Sequence, residues 1–304
     1  MSVFSAAGAS FQGPRFWQGM AMAAAGAIGF AGKAILAKLM FQHGVDAVTV
    51  VAWRMVLALP LFLAMAWWSS RGKSRLSWHD GLIIVALGFI GYYLSSMLDF
   101  YGLMFISASL ERLILYLGPT FVMILSVWVL KRRATLRQWV AAGISYLGVL
   151  VVFGHEVGLQ GQQALLGSAL VLGSALVYSV YLLISGEVVS RIGSLRLTGW
   201  ASTAACVFCL LHFLAVKPLG AIVVPEPVIW MSALNATLCT VAPVLMTMMA
   251  IERIGSALTS QVGMIGPLST IALGVAILGE PLTAWLWLGT LLVLCGVGLL
   301  ARWR

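Results

Sequence analysis

Long apolar runs separated by short polar connections set the pattern of this chain. A helix needs about 20 apolar residues to cross the hydrocarbon core of a bilayer. Ten stretches qualify, at 17–39, 46–68, 80–101, 106–130, 135–154, 164–186, 196–216, 228–250, 256–278 and 284–301. None of the connections has room for a soluble domain. The pattern predicts an all-α integral membrane protein of ten transmembrane helices.

The pattern occurs twice. Residues 106–152 align without a gap on 254–300 at a constant offset of 148, with Ile106/Ile254, Gly118/Gly266, Pro119/Pro267, Trp139/Trp287 and Gly148/Gly296 among the identical pairs. The same offset pairs Gly19 with Gly167 and Ala27 with Ala175. Two five-helix units are expected, over 1–156 and 157–304. An odd number of spans per unit makes the second unit enter the membrane from the other side. That is an inverted-topology repeat, an architecture that many secondary transporters use for alternating access.

Composition agrees: 62% of the 304 residues are hydrophobic and 9% are charged, against roughly 25% charged in soluble domains. The net charge of +9 does not signal nucleic acid, because the charges sit in short loops and form no folded basic face. With the N-terminus placed in the cytoplasm, 13 of the 18 basic residues fall in inner loops or at inner ends and two, Lys38 and Lys217, on the outer side. That bias predicts both termini cytoplasmic. The repeat supports this orientation: Lys131-Arg132-Arg133 in the first copy aligns with the base-free Gly279-Glu280-Pro281 in the second. Cys206, Cys209, Cys239 and Cys295 all lie in apolar runs, and Cys206-x-x-Cys209, with no flanking charge to lower a thiol pKa, reads as packing rather than a redox motif.

Charges inside spans are expensive, and each marks a candidate functional position. Five are present: Lys33, Arg54, Asp99, Glu111 and Arg112, all in the outer half of the first unit. Their repeat mates are polar and uncharged: Lys33 aligns with Tyr181, Asp99 with Thr247 and Arg112 with Ser260. A stripe of Tyr92, Ser95, Ser96 and Asp99 follows helical spacing on span 3. Depth along the helices suggests that Asp99 pairs with Arg112 and Arg54 with Glu111, leaving Lys33 as the cation free to meet a solute. Pro119 and Pro267 each free a carbonyl one turn earlier, near Leu115 and Gly263, and read as paired hinges. Tyr93, Tyr116, Trp53 and Trp200 are further aromatic candidates for a pocket wall.

Ser107-Ala108-Ser109-Leu110, mid-helix Gly118-Pro119 and Gly279-Glu280-Pro281-Leu282-Thr283, set in two five-helix units, make the chain resemble the drug/metabolite transporter superfamily. The likeness is to its EamA-type ten-helix members and extends over essentially the whole length. The resemblance implies a multi-pass carrier of the bacterial inner (plasma) membrane, often an exporter of amino acids or other small metabolites, without an ATP-binding module. The first unit departs from the family's Gly-Glu-Arg/Pro loop with Lys131-Arg132-Arg133. Small four-helix members bind lipophilic cations through a glutamate in the first helix, whereas the buried charge of the first span here is Lys33.

The expectation is therefore a secondary transporter that exports a small anionic or zwitterionic, amino-acid-like metabolite by alternating access. Its site would be built from Lys33, Arg54, Tyr92, Asp99, Arg112, Tyr181 and Ser260, around a cavity formed mainly by spans 1, 3, 4, 6, 8 and 9. No metal, no cofactor and no nucleic acid is expected. The partners are the solute and the bilayer around a monomer, with proton coupling and oligomerisation left open. The alternatives are a multidrug exporter or a lipid or lipid-precursor flippase of the same fold. An intramembrane enzyme would need a nucleophile or metal motif such as Gly-x-Ser-x-Gly or His-Glu-x-x-His, and neither occurs.

Overall fold

The computed structural model describes residues 13–129, 131 and 133–302, except the side chains of 159, 160, 187, 190, 252, 255–257, 260 and 261. Among these, nine helices are long and apolar enough to span a membrane. They are α1 (Pro14–Gln42), α2 (Ala47–Ser70), α3 (Trp78–Leu103), α4 (Ala108–Val129), α5 (Leu136–Gly158), α6 (Gln162–Gly186), α7 (Ser194–Val216), α8 (Glu226–Ile251) and α10 (Ala284–Arg302). The shorter apolar helix α9 (Ile265–Leu278) completes the ten expected spans. Helices suit this composition because every backbone polar group in lipid must be satisfied within its own segment. Their ends are capped by side chains: Asp46 accepts from the Val48 and Thr49 amides, Ser107 from Leu110, and Thr135 forms a reciprocal box with Gln138.

One boundary differs from the sequence reading. Helix continues from Ala242 through Gly263, across the turn expected between spans 8 and 9. The chain still reverses there: a Cβ on Gly19 would meet Ile254, whereas one on Gly266 would lie 3.7 Å from the Ala27 carbonyl oxygen. A straight helix would carry Gly266 about 18 Å onward from Ile254, away from Ala27.

The two units interlock, and their contacts exchange under the sequence offset. Gly19 on α1 faces Arg253 and Ile254; its mate Gly167 on α6 faces Phe105 and Ile106, which are the mates of those two residues. Gly148 on α5 abuts the backbone of Gly289 and Val293 on α10, while Gly296 abuts the backbone of Ala141 and Ser145. Each contact maps onto the other by a shift of 148. These are places where two backbones touch and a side chain does not fit, as is common between membrane helices. The mutual pattern is what a pseudo-two-fold axis relating the units produces. Around it, α2 packs on α7, α5 on α10, α1 on the 242–263 helix and α9, and the end of α3 on α6.

Irregularities repeat as well. α3 widens into a π-turn at Phe89–Leu94, and α8 does so at Thr237–Val241, the aligned position. α4 breaks at Tyr116 and Leu117, just before Pro119; the second unit breaks at Met264, just before Pro267. Proline removes the amide that would continue the ladder, so the break falls where the residues place it. The outer surface is apolar, with Trp67, Trp68, Trp78, Trp128 and Trp230 more than half exposed near helix ends, as expected of anchors at a lipid interface.

Candidate functional site

A cavity of about 550 Å³ lies between the two units. Residues of α1, α3, α4, α6, α8 and α9 line it, as do Gly263 and Thr259 of the preceding helix. α2 contributes Arg54, Met55 and Phe62, α7 contributes Ser202, and α10 contributes Val297, a wider set than the six spans expected. Ser202 is the repeat mate of Arg54, and both line the same cavity.

Of the expected site residues, Lys33, Arg54, Tyr92, Asp99 and Arg112 line the cavity, and so does Pro119. Tyr181 is buried behind the wall, its hydroxyl 3.1 Å from that of Tyr92. Tyr178 stacks on Tyr181 and does reach the cavity. Pro267 is buried beside the lining residue Gly266. The side chain of Ser260 lies outside the described residues. Trp53 and Trp200 are engaged elsewhere: their ring N–H groups donate to the Ile222 carbonyl and the Ser70 hydroxyl. Tyr93 bonds His212 at 2.8 Å.

The ion pairing differs from the one read from helix depth. Lys33 is not left over: its Nζ lies 2.5 Å from Oδ2 of Asp99 and 3.9 Å from Oε1 of Glu111. Asp99 does not pair with Arg112, nor Glu111 with Arg54. Arg54 donates to Ser96 Oγ at 3.1 Å and lies over the Phe100 ring, 4.5 Å from its centroid. Arg112 turns across the unit boundary and donates through Nε to Thr270 Oγ1 at 2.9 Å. Depth along a helix fixes the level of a residue but not the neighbour it faces. Phe100, one residue beyond Asp99, presents its ring to Arg54 and is 5.5 Å from Lys33 Nζ. Among the described residues, no carboxylate lies within salt-bridge distance of either guanidinium. Arg54 is 3% exposed and its Nε has no hydrogen-bond partner. Among the described residues, the cavity wall thus holds one lysine paired with a carboxylate and two arginines with no carboxylate within salt-bridge distance.

Three features went unread in the sequence. Tyr116 donates its hydroxyl to the Gly263 carbonyl at 2.5 Å, the carbonyl freed by Pro267. Glu280 accepts from the Ala108 amide at 2.7 Å, the Ser109 amide at 3.2 Å and the Ser109 hydroxyl at 2.6 Å. Glu156 accepts from the Ser107 amide and hydroxyl. Two carboxylates from α5 and the Gly279-Glu280-Pro281 loop therefore close over the N-terminus of α4, where exposed amides and the helix dipole favour anions. The loop motif and Ser107-Ala108-Ser109 were visible as separate strings, and their meeting was not.

The comparisons with known proteins fit this geometry. The EamA-like transporter family matches the chain twice, over residues 17–154 and 165–302. The chain belongs to the EamA-like transporter family. The family lies within the drug/metabolite transporter superfamily, and its members are transporters rather than enzymes. The chain is 29% identical over 266 residues to the uncharacterized transporter YcbK of Bacillus subtilis (strain 168), covering 84% of each protein. It is 22% identical over 215 residues to the uncharacterized transporter YoaV of the same organism, covering 71% of this chain and 72% of that one. A protein of known crystal structure shares the fold with a TM-score of 0.60 at 18% identity, over 91% of this chain and 97% of its own. This EamA-family protein is thus a multi-pass membrane transporter.

Proposed function

We propose that this transporter carries a small anionic or zwitterionic metabolite, amino-acid-like in its charged group, and that the two arginines of the cavity receive that group. The observation that carries the reading is the pair of cavity guanidiniums, Arg54 and Arg112, with no carboxylate partner among the described residues. Arg presents a planar fork of donors that matches a carboxylate or phosphate. A solute anion would supply the missing counter-charge. Tyr92, Tyr178 and Tyr116 furnish walls with hydroxyl handles, suited to an amphipathic solute. The cavity volume lies within the usual range for small-ligand sites, about 300–1,000 Å³.

Alternating access is the mechanism the architecture suits. Interlocked inverted units can rock about a central site, and the breaks before Pro119 and Pro267 give α4 and the second unit equivalent bending points. We place the unit boundary between residues 156 and 157, the protein in the bacterial inner membrane as a monomer, and both termini in the cytoplasm, the last following the excess of Lys and Arg in the expected inner loops. Lys33, Asp99, Tyr181 and Ser260 complete the proposed site, the first two as a charge pair in its wall. A lipophilic-cation exporter would meet two uncompensated arginines here, which disfavours that reading. The test is growth of cells overproducing the protein. Altered tolerance to amino acids, their analogues or organic acids, with none to quaternary ammonium dyes, is expected. Resistance to the dyes alone would overturn the substrate class.

A further inference from the structure

The Lys33 cluster contains one carboxylate too many. Lys33 donates to Asp99 at 2.5 Å, which uses its charge. Glu111 lies 3.9 Å from the same Nζ, beyond hydrogen-bond distance. Its side chain is 0% exposed, and neither of its oxygens has a hydrogen-bond partner; Asp99 Oδ1 has none either. Arg112, the next residue on the helix, sends Nε to Thr270, and its charge also acts on Glu111. Arg54 is engaged by Ser96 and the Phe100 ring. Beyond this cluster, Lys38 on α1 feels the charges of Glu280, Glu156 and Glu111.

A buried carboxylate that accepts no hydrogen bond is held at high cost, whereas a buried carboxylic acid is not. Two carboxyl groups that share one cation ionise together only with difficulty. We propose that Glu111 is a proton-binding site of this transporter, occupied when the cavity is as described here. The proton sits on one carboxyl oxygen. On release, that O–H bond breaks, its electron pair stays on the carboxylate, and the proton passes to water entering the cavity. Lys33 and Asp99 line that cavity, so the site borders the solute path. The proposal rests on the anion-transport reading for its purpose: a neutral Glu111 keeps the net charge of the cavity region positive, and its ionisation subtracts one positive unit. Proton and solute anion therefore favour each other's binding, and that linkage is reciprocal.

The test needs no solute, so its outcome is independent of the substrate class. Infrared difference spectra of the purified full-length protein in lipid are recorded between neutral and alkaline pH, in water and in deuterium oxide. A carbonyl stretch of a protonated carboxyl, shifted by deuterium and bleached at alkaline pH, is expected in the unmodified protein. It should be lost in Glu111→Gln and retained in Glu156→Gln. The Glu111→Gln side chain mimics the neutral acid, so an unchanged melting temperature is also expected. If that variant gives too little protein, Glu111→Asp serves instead, and the band should move rather than vanish. Absence of the band from the unmodified protein, or its persistence unaltered in the Glu111 variants, would overturn the proposal.

Discussion

The two units share one backbone plan and differ in chemistry. Gly19 and Gly167 make equivalent close contacts, Gly148 and Gly296 do the same, and the π-turns of α3 and α8 and the pre-proline breaks fall at aligned positions, whereas the π-turn at Gly274–Leu278 has no mate among the described residues of the first unit. Yet the five charges deep within the spans, Lys33, Arg54, Asp99, Glu111 and Arg112, all belong to the first unit. Where that unit has Lys33, Asp99 and Arg54, the second has Tyr181, Thr247 and Ser202. Symmetry of packing thus coexists with asymmetry of charge. Duplicated helices must keep their crossing points, because two backbones in contact leave no space for a side chain. Cavity residues carry no such constraint, so one unit can hold the ionic groups while the other supplies hydroxyls and rings. An inverted pair with one charged side presents an anion with a cationic wall facing a polar, uncharged one.

The largest expected effect comes from breaking the charge pair. Asp99→Asn removes the hydrogen-bonded partner of Lys33 and leaves it Glu111 at 3.9 Å, beyond hydrogen-bond distance, and removal of one partner from a buried pair costs about 3–5 kcal/mol. A strong fall in melting temperature and in monodisperse yield is expected. The aligned change Thr247→Val in the uncharged unit should cost far less. Equal losses at both positions would mean that the charges of the first unit are not what distinguishes it.

Next come the breaks. Pro119→Ala and Pro267→Ala restore an amide and should straighten each helix, slowing transport on the order of tenfold, equivalent to about 1.4 kcal/mol on the barrier. The melting temperature should hardly change. Tyr116→Phe sharpens the comparison, because the Tyr116 hydroxyl holds the carbonyl that Pro267 frees. Loss of that bond should destabilise by about 1 kcal/mol, and less in a Pro267→Ala background, where the restored amide competes for the same carbonyl. Strictly additive effects in the double variant would separate the two residues.

The smallest effect lies at the rim. Asp46 caps α2 and meets Lys217 at 3.0 Å. Burial alone would push its carboxyl up, but the bonds from Lys217 and Thr49 overcome burial and hold it below the usual carboxylate range. A group lowered on folding stabilises above its ordinary range, and that contribution is lost as pH falls through its folded value. A modest acid-side drop in melting temperature is expected, smaller in Lys217→Met. No change in the acid limb with Lys217→Met would remove this tie between α2 and α7.

Much of this was legible in the residues. The ten spans, the duplication and the breaks before Pro119 and Pro267 follow from apolar run length and from proline's missing amide, which are local properties. The lining roles of Arg54, Tyr92 and Arg112 were also readable, since polar groups in a span must face protein or a cavity. The partners were not. Lys33 with Asp99, Arg112 with Thr270, and Glu280 with Ser109 join residues 66, 158 and 171 positions apart. Which helix face meets which is set by packing, and depth along a span cannot supply it. The helical backbone over 242–263 was missed for a related reason: the polar stretch Glu252-Arg253-Ile254-Gly255-Ser256 resembles a loop in composition, and the chain turns there while staying helical.

The central claim is that the charged unit's arginines receive an anionic group. The most direct measurement is a thermal-shift screen of the purified protein against amino acids, carboxylates, nucleotides, nucleobases and quaternary ammonium compounds, repeated on Arg112→Gln. A ligand at 100 times its Kd stabilises the native state by about 2.7 kcal/mol, and loss of a charge-assisted bond of about 1.5–3 kcal/mol weakens binding roughly 10- to 100-fold. The account predicts stabilisation by an anionic or zwitterionic compound that largely disappears in Arg112→Gln. Stabilisation by quaternary ammonium compounds, or a shift that Arg112→Gln leaves intact, would contradict it.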